Sequence, residues 1–240
     1  MPRTQTQFTD AILIRSVDYG EADRIVTLYT ADLGKVSVMA RGARRSKRRF
    51  AGSLEPYAII RAEVAVGSAE VGRLAQAQIV RAFPGILRDL DKVLAAGRAL
   101  ELVRRATAPR EPDARLYHAA AEVLELLDRS ASGRIASEAS LVAFEARAMA
   151  IVGFAPRLDA CGVCGRRALE GQSALFDPER GSLVCRACGG ATIKLGGTVR
   201  SRLLPALGRG WASVAGEPWT ERELHQARVA IDAFVGARLG

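Results

Sequence analysis

Over the first 80 residues, apolar side chains come in short β-branched runs separated by turn-forming residues. The runs are residues 11–17, 24–29, 35–40, 57–64 and 71–80. Alternation with period two over such lengths predicts strands. Five of them in about 80 residues predict a small Greek-key barrel of the OB type, although an SH3-like barrel has a similar pattern.

After Pro84 the apolar period changes to that of helices. Ile86, Leu90, Val93, Leu94, Gly97 and Leu100 fall on one face; Leu116, Ala120, Val123, Leu124 and Leu127 make a second; Leu141, Phe144, Ala148, Ile151 and Val152 make a third. Pro109, Pro112 and the stretch 130–133 mark the breaks between them. Ser137 ahead of Glu138 predicts a capped start for the third helix, and Gly153 with Pro156 its end. Short strands follow at 174–176 and 182–184, and helical spacing returns over 197–207 and 220–239. Thr220 with Glu223 has the form of a capping box. The fold class expected is α+β, with a five-stranded barrel over residues 1–80 and a helical domain over 81–240. A ribbon-like module at about 156–191 interrupts the helices.

The chain has four cysteines, and they come in two matched pairs, Cys161-Gly162-Val163-Cys164 and Cys185-Arg186-Ala187-Cys188. Two CxxC knuckles on facing turns supply the four soft donors of a tetrahedral zinc site. Gly162, Gly165, Gly189 and Gly190 are expected to let backbone N–H groups turn back toward the thiolates. Two disulfides or a redox CxxC are the competing readings. Disulfides suit a short secreted chain, whereas the opening residues here lack the form of an export signal; a redox motif needs one pair beside a βαβ pattern. With all four thiolates bound no coordination position stays open, so the metal is expected to be structural.

Composition changes the picture through charge. Of 240 residues 25% are charged, with a net charge of +9. Residues 1–80 hold 12 basic and 8 acidic groups, and residues 155–210 hold 9 and 4, so the excess lies in the barrel and around the cysteines. That distribution suits a polyanionic partner, nucleic acid before membrane. Arginine outnumbers lysine 31 to 4, which codon bias alone can also produce. The densest feature is Arg41-Gly42-Ala43-Arg44-Arg45-Ser46-Lys47-Arg48-Arg49, six positive charges with no acid until Glu55. Like charges so close repel unless an anion neutralises them, and a solvated loop is the alternative. Arg15, Arg24, Lys35 and Arg61 can extend the patch, and Phe50, Tyr57 or Tyr19 can stack on bases unless they serve as barrel packing.

Catalytic signatures do not emerge. His118 and His225 stand without a nucleophile or acid at a recognisable spacing and are expected as partly exposed helix residues. Gly196-Gly197-Thr198 lacks the lysine of a phosphate loop, and no GxGxxG follows a strand. Glu122 and Glu125 are spaced for a helix surface. No apolar run approaches 18 residues, so a membrane span is not expected and a cytoplasmic protein is.

Residues 11–13 and 18–30, residues 33–45 followed by Leu54-Glu55-Pro56-Tyr57, and residues 152–165 and 181–188 around the cysteines together resemble the RecO family of bacterial recombination mediators. The similarity covers nearly the whole chain in the order barrel, helices, zinc, helices. It implies an OB-fold DNA-binding domain, a helical domain and an embedded four-cysteine zinc module. It further implies binding of single- and double-stranded DNA, annealing of complementary strands without ATP hydrolysis, and action with RecR in loading RecA onto DNA coated by single-stranded DNA-binding protein. The matching residues are Lys35, Arg41, Arg44, Arg45, Lys47, Arg48 and Arg49 for DNA, and Cys161, Cys164, Cys185 and Cys188 for zinc. Residues 46–51 carry more charge than the usual end of this loop. The family's contact for single-stranded DNA-binding protein lies in the helical region, where no local motif assigns residues. A zinc-ribbon transcription or RNA-binding factor is the alternative, and a nuclease built from scattered carboxylates a third reading.

Overall fold

The computed structural model describes residues 5–46, 48–50 and 52–240. Five strands, β1 (Gln5–Tyr19), β2 (Asp23–Thr30), β3 (Gly34–Ala40), β4 (Ala58–Val66) and β5 (Val71–Ala82), close into a barrel of order β1-β2-β3-β5-β4. That order is OB-like and resolves the choice among small barrels. Closure needs β1 to serve two neighbours. Its first half pairs antiparallel with β4 and its second with β2, and a register shift between Leu13 and Arg15 bends it between them. The polar first half, Gln5 to Asp10, has no apolar alternation, so the sequence signal begins only at Ala11. The seam is short: β3 meets β5 in parallel over Ser37–Met39 and Val71–Arg73.

Alternation decides what each strand buries. Ala11, Leu13, Val26, Leu28, Val36 and Val38 fill the barrel, while Ile12 and Tyr29 point outward into the helical core. Six helices build that core: α1 (Leu90–Ala106), α2 (Ala114–Arg129), α3 (Arg134–Ile151), α4 (Gly197–Ala206), α5 (Trp211–Ala215) and α6 (Glu221–Leu239). α3 lies centrally, in contact with the other five. Consecutive residues from Ala139 to Ala146 are therefore buried, more than the single stripe expected of it.

Two expectations need correction. On α1, Leu90 and Leu94 are 72% and 58% exposed; the buried face carries Ala95, Ala96, Ala99, Leu100 and Val103. Small side chains let α1 lie close against α2 and α3, a gain that hydrophobicity alone does not signal. α3 starts at Arg134 after Gly133, and Ser137 sits inside it, donating to the Gly133 carbonyl at 3.1 Å. The five-residue α5 is too short to show periodicity and was not expected; Trp211 fixes it edge-on to Phe144 at 6.0 Å. The Thr220–Glu223 capping box is present as expected.

The loop between α1 and α2 joins helices to barrel. Arg110 N–H donates to the Lys35 carbonyl at 2.9 Å and the Tyr29 hydroxyl to the Asp113 carbonyl at 3.3 Å. Gly34, at φ +67°, lies where a Cβ would sit 2.3 Å from the Glu111 carbonyl oxygen, so only glycine fits this approach. Arg110 itself clamps the β4–β5 loop through the carbonyls of Gly67, at 2.6 Å, and Ala69.

Candidate metal centre and nucleic-acid interface

After α3 the chain forms a second sheet from β6 (Arg157–Cys161), β7 (Ala174–Asp177), β8 (Ser182–Leu183) and β9 (Ile193–Leu195), ordered β6-β8-β7-β9. Cys161 ends β6, and Cys185 follows β8 by two residues. Because β6 and β8 are neighbours, both CxxC turns emerge at one end of the sheet. Gly162 N–H donates to the Leu183 carbonyl at 2.8 Å and ties the first turn to the end of β8. The left-handed Gly165 (φ +73°) and Gly189 (φ +101°) reverse the chain after each pair.

Backbone N–H groups do turn toward the Cys161 thiol, as expected of turns built with these glycines, but they are not the glycines' own. The N–H groups of Gly162, Gly165, Gly189 and Gly190 all donate to backbone carbonyls. The Cys185 N–H reaches the Cys161 sulfur at 3.4 Å. Backbone donors from Cys164, Cys185 and Val163 hold the Cys161 thiol down at about 6. Hydrogen bonding to the Cys185 and Cys164 sulfurs pushes Cys188 up to about 12. Four thiols in mutual contact cannot all ionise without a cation among them.

The four sulfurs lie within 4.8 Å of one another, and Cys164 and Cys185 are 3.8 Å apart. A tetrahedron of metal–sulfur bonds near 2.3 Å has edges of about 3.8 Å, whereas a disulfide needs about 2.05 Å. All four cysteines are unpaired. The cluster therefore fits a metal ion held by sulfur alone.

The basic run leaves the barrel at the end of β3. Its start is tied down by Gly42 N–H on the Asp23 carboxylate (2.7 Å) and Arg44 N–H on the Ala22 carbonyl (3.0 Å). Its end is pinned where Phe50, 2% exposed, enters the barrel core and Ala77 N–H donates to the Arg49 carbonyl at 2.9 Å. Between these anchors Arg41, Arg44, Arg45, Arg48 and Arg49 are exposed, and Lys47 lies outside the described residues. Among the described residues the ion pairs of Arg44 and Arg45 are long, 3.8 Å to Asp18 and 3.9 Å to Glu21, and Arg44 also donates to the Glu21 carbonyl at 3.2 Å.

Models of two families together match nearly all of this chain: the recombination protein O N-terminal family over residues 5–83 and the recombination protein O C-terminal family over residues 87–240. The chain belongs to the RecO family. A DNA repair protein RecO of Anaeromyxobacter sp. (strain K) is 38% identical over 233 residues, covering 95% of this chain and 90% of that one. The RecO of Geobacter metallireducens is 35% identical over 96% of this chain and 91% of its own. That of Myxococcus xanthus is 41% identical over 180 residues, 75% of this chain and 71% of its own. The two RecO family models meet at the single turn Ile86–Arg88, where the barrel passes into the helices.

Within this RecO chain the other candidate residues separate. Lys35 stands apart from the loop: its ammonium donates to the Arg104 carbonyl at 2.7 Å and to that of Thr107, at the end of α1. Burial and the neighbouring Arg104 lower its pKa. Arg24 is engaged by Asp18 and Glu55, and Arg61 by both oxygens of Asp10, while Arg15 is exposed. Of the three aromatics, Phe50 is core, the Tyr57 hydroxyl donates to the Val93 carbonyl at 3.1 Å, and Tyr19 is 56% exposed. Both histidines are exposed on helices, as expected. Among the described residues no helix is long and apolar enough to cross a membrane.

Proposed function

We propose that this protein is a DNA repair and recombination mediator that binds single- and double-stranded DNA through the barrel and anneals complementary strands without covalent chemistry. In this reading it acts with RecR to promote RecA loading on DNA coated by single-stranded DNA-binding protein, in the bacterial cytoplasm. The observation that carries it is the anchored loop of exposed arginines on an OB-like barrel in a RecO family chain. Pinning at both ends holds the cations at the barrel rim, so their mutual repulsion is maintained until phosphates relieve it. Arg41, Arg44, Arg45, Arg48 and Arg49, with Lys47, meet the backbone, and Lys35 braces the barrel against α1 from behind. Charge neutralisation brings two strands together, while base pairing supplies specificity and most of the free energy. Residues 1–80 then form the DNA-binding domain and residues 81–240 the scaffold, with Zn²⁺ as the structural metal of the module at about 156–191.

Annealing of two labelled complementary oligonucleotides across a salt series tests the reading. The intact protein should accelerate annealing without ATP, with a log–log salt slope of about −4 if six phosphates are neutralised. Replacing Arg44, Arg45, Arg48 and Arg49 with alanine should reduce the slope by about 3 and abolish the acceleration. A folded, metal-loaded protein that leaves annealing unchanged would return the choice to a zinc-ribbon transcription or RNA-binding factor.

A further inference from the structure

Arg200, in the first turns of α4, is 3% exposed yet has no carboxylate partner among the described residues. One guanidinium nitrogen donates to the carbonyls of Ala168 (3.3 Å) and Leu169; Nε and Nη1 are buried without a hydrogen-bond partner. A buried guanidinium left this way is costly, and such groups are normally matched by an anion. It borders a cavity of about 380 Å³ in the cysteine ribbon, beside Cys161 and Cys185 of the metal centre, which Arg166, Arg167, Arg186 and Lys194 also line. No aspartate or glutamate lines it, and none of the five cations forms an ion pair among the described residues. Arg200 and Arg167 also border a hollow holding Asp159 and Glu170, but neither acid pairs with them among the described residues. Four thiolates around a divalent metal would carry a net charge of about −2, leaving a surplus of about three positive charges.

We propose that this cavity is a binding site for a nucleoside phosphate monoester, with the phosphate on Arg200 and its neighbouring cations. Guanidinium forks match phosphate oxygens in pairs, and several together favour a dianion over a single carboxylate. Leu175, Leu183 and Val184 give the same cavity an apolar wall for a base or sugar. At 380 Å³ it sits near the lower end of the roughly 300–1,000 Å³ spanned by small-ligand pockets, the size of one mononucleotide rather than a strand. The monoester comes either from a free nucleotide or from the phosphorylated end of a DNA strand. The second source rests on the DNA reading above, and the first does not.

Titration calorimetry of the full, metal-loaded chain with deoxyadenosine monophosphate and with deoxyadenosine tests this. The nucleotide should bind at least about tenfold tighter than the nucleoside, and the surface variant Arg167→Gln/Lys194→Gln should weaken it about tenfold with its melting temperature unchanged. Alanine substitutions at the arginines of the barrel loop should leave it unaffected, which separates this site from the DNA interface. Arg200→Gln should abolish binding if the variant folds, and the surface variant decides the matter if it does not. A 5′-phosphorylated oligonucleotide preferred over its 5′-hydroxyl form, with the preference lost in the surface variant, identifies strand ends as the source. Mononucleotide binding without that preference identifies free nucleotides. Equal binding of nucleotide and nucleoside, no saturation up to about 10 mM nucleotide, an unaffected surface variant, or tighter variant-sensitive binding of a glutamate-rich peptide would each overturn the proposal.

Discussion

Lys35 shows how a single charge can serve either surface or frame. Its position in sequence, ahead of the basic run, groups it with the loop arginines, but its ammonium lies on two carbonyls that end α1. Those carbonyls are among the acceptors a helix leaves without an intrahelical partner, and a cation there also suits the helix dipole. Lys35→Met keeps the apolar stem and removes the donor. It should lower stability by about 1.5–3 kcal/mol in urea unfolding, the range for hydrogen bonds to charged groups, while the salt slope of DNA binding stays unchanged. A changed slope with unchanged stability would place the ammonium at phosphate instead.

At the scale of elements, three helices begin on carboxylates held in their ionised form. Asp89 accepts from Gly133 N–H at 3.0 Å as well as from Asp91 and Lys92, which ties the start of α1 to the α2–α3 loop. Asp113 caps α2 with Arg115 across it, and Glu223 returns to Thr220 at the head of α6. The Gly133 N–H lowers the pKa of Asp89, the Arg115 guanidinium that of Asp113, and the Thr220 N–H that of Glu223. A carboxyl whose folded pKa lies below its unfolded value near 4 contributes full stability above that value and loses it as the pH falls through the folded pKa. The urea midpoint should therefore hold steady down to about pH 5 and fall below about pH 4, and Asp89→Asn should flatten part of that fall. A midpoint independent of pH between 6 and 3 would remove the caps from the account.

For the whole molecule the cysteine ribbon is one wall of the helical core. Phe176 of β7 meets Phe234 of α6 edge-on at 6.0 Å, and β9 packs on α6. The barrel instead has its own enclosed core, from Ala11 to Ala77. Metal analysis should give one zinc per chain. Its removal by a chelator should cost much of the order of 10 kcal/mol that such sites contribute to folding, and melt the ribbon with α6 first. Barrel amides should keep their hydrogen-exchange protection after chelation; their simultaneous loss would mean a single cooperative unit.

What the sequence determined by itself is whatever rests on local signals. Strand alternation, the Thr220–Glu223 box and the CxxC spacing are each complete within a few residues, so the five barrel strands, the start of α6 and the cysteine cluster were legible before any packing was known. The charge density of residues 41–49 was equally plain. Tertiary structure alone decided the closing order of the barrel, the alanine face that α1 buries in place of Leu90 and Leu94, the engagement of Lys35 with α1, and the isolation of Arg200 beside the ribbon. Each of these depends on which distant residues arrive opposite, and hydrophobicity read along a chain carries no information about the depth of a neighbour's groove or the nearest carboxylate. Periodicity tells a helix that it has a buried side; only the partner helix, through how closely it can approach, selects which side that is.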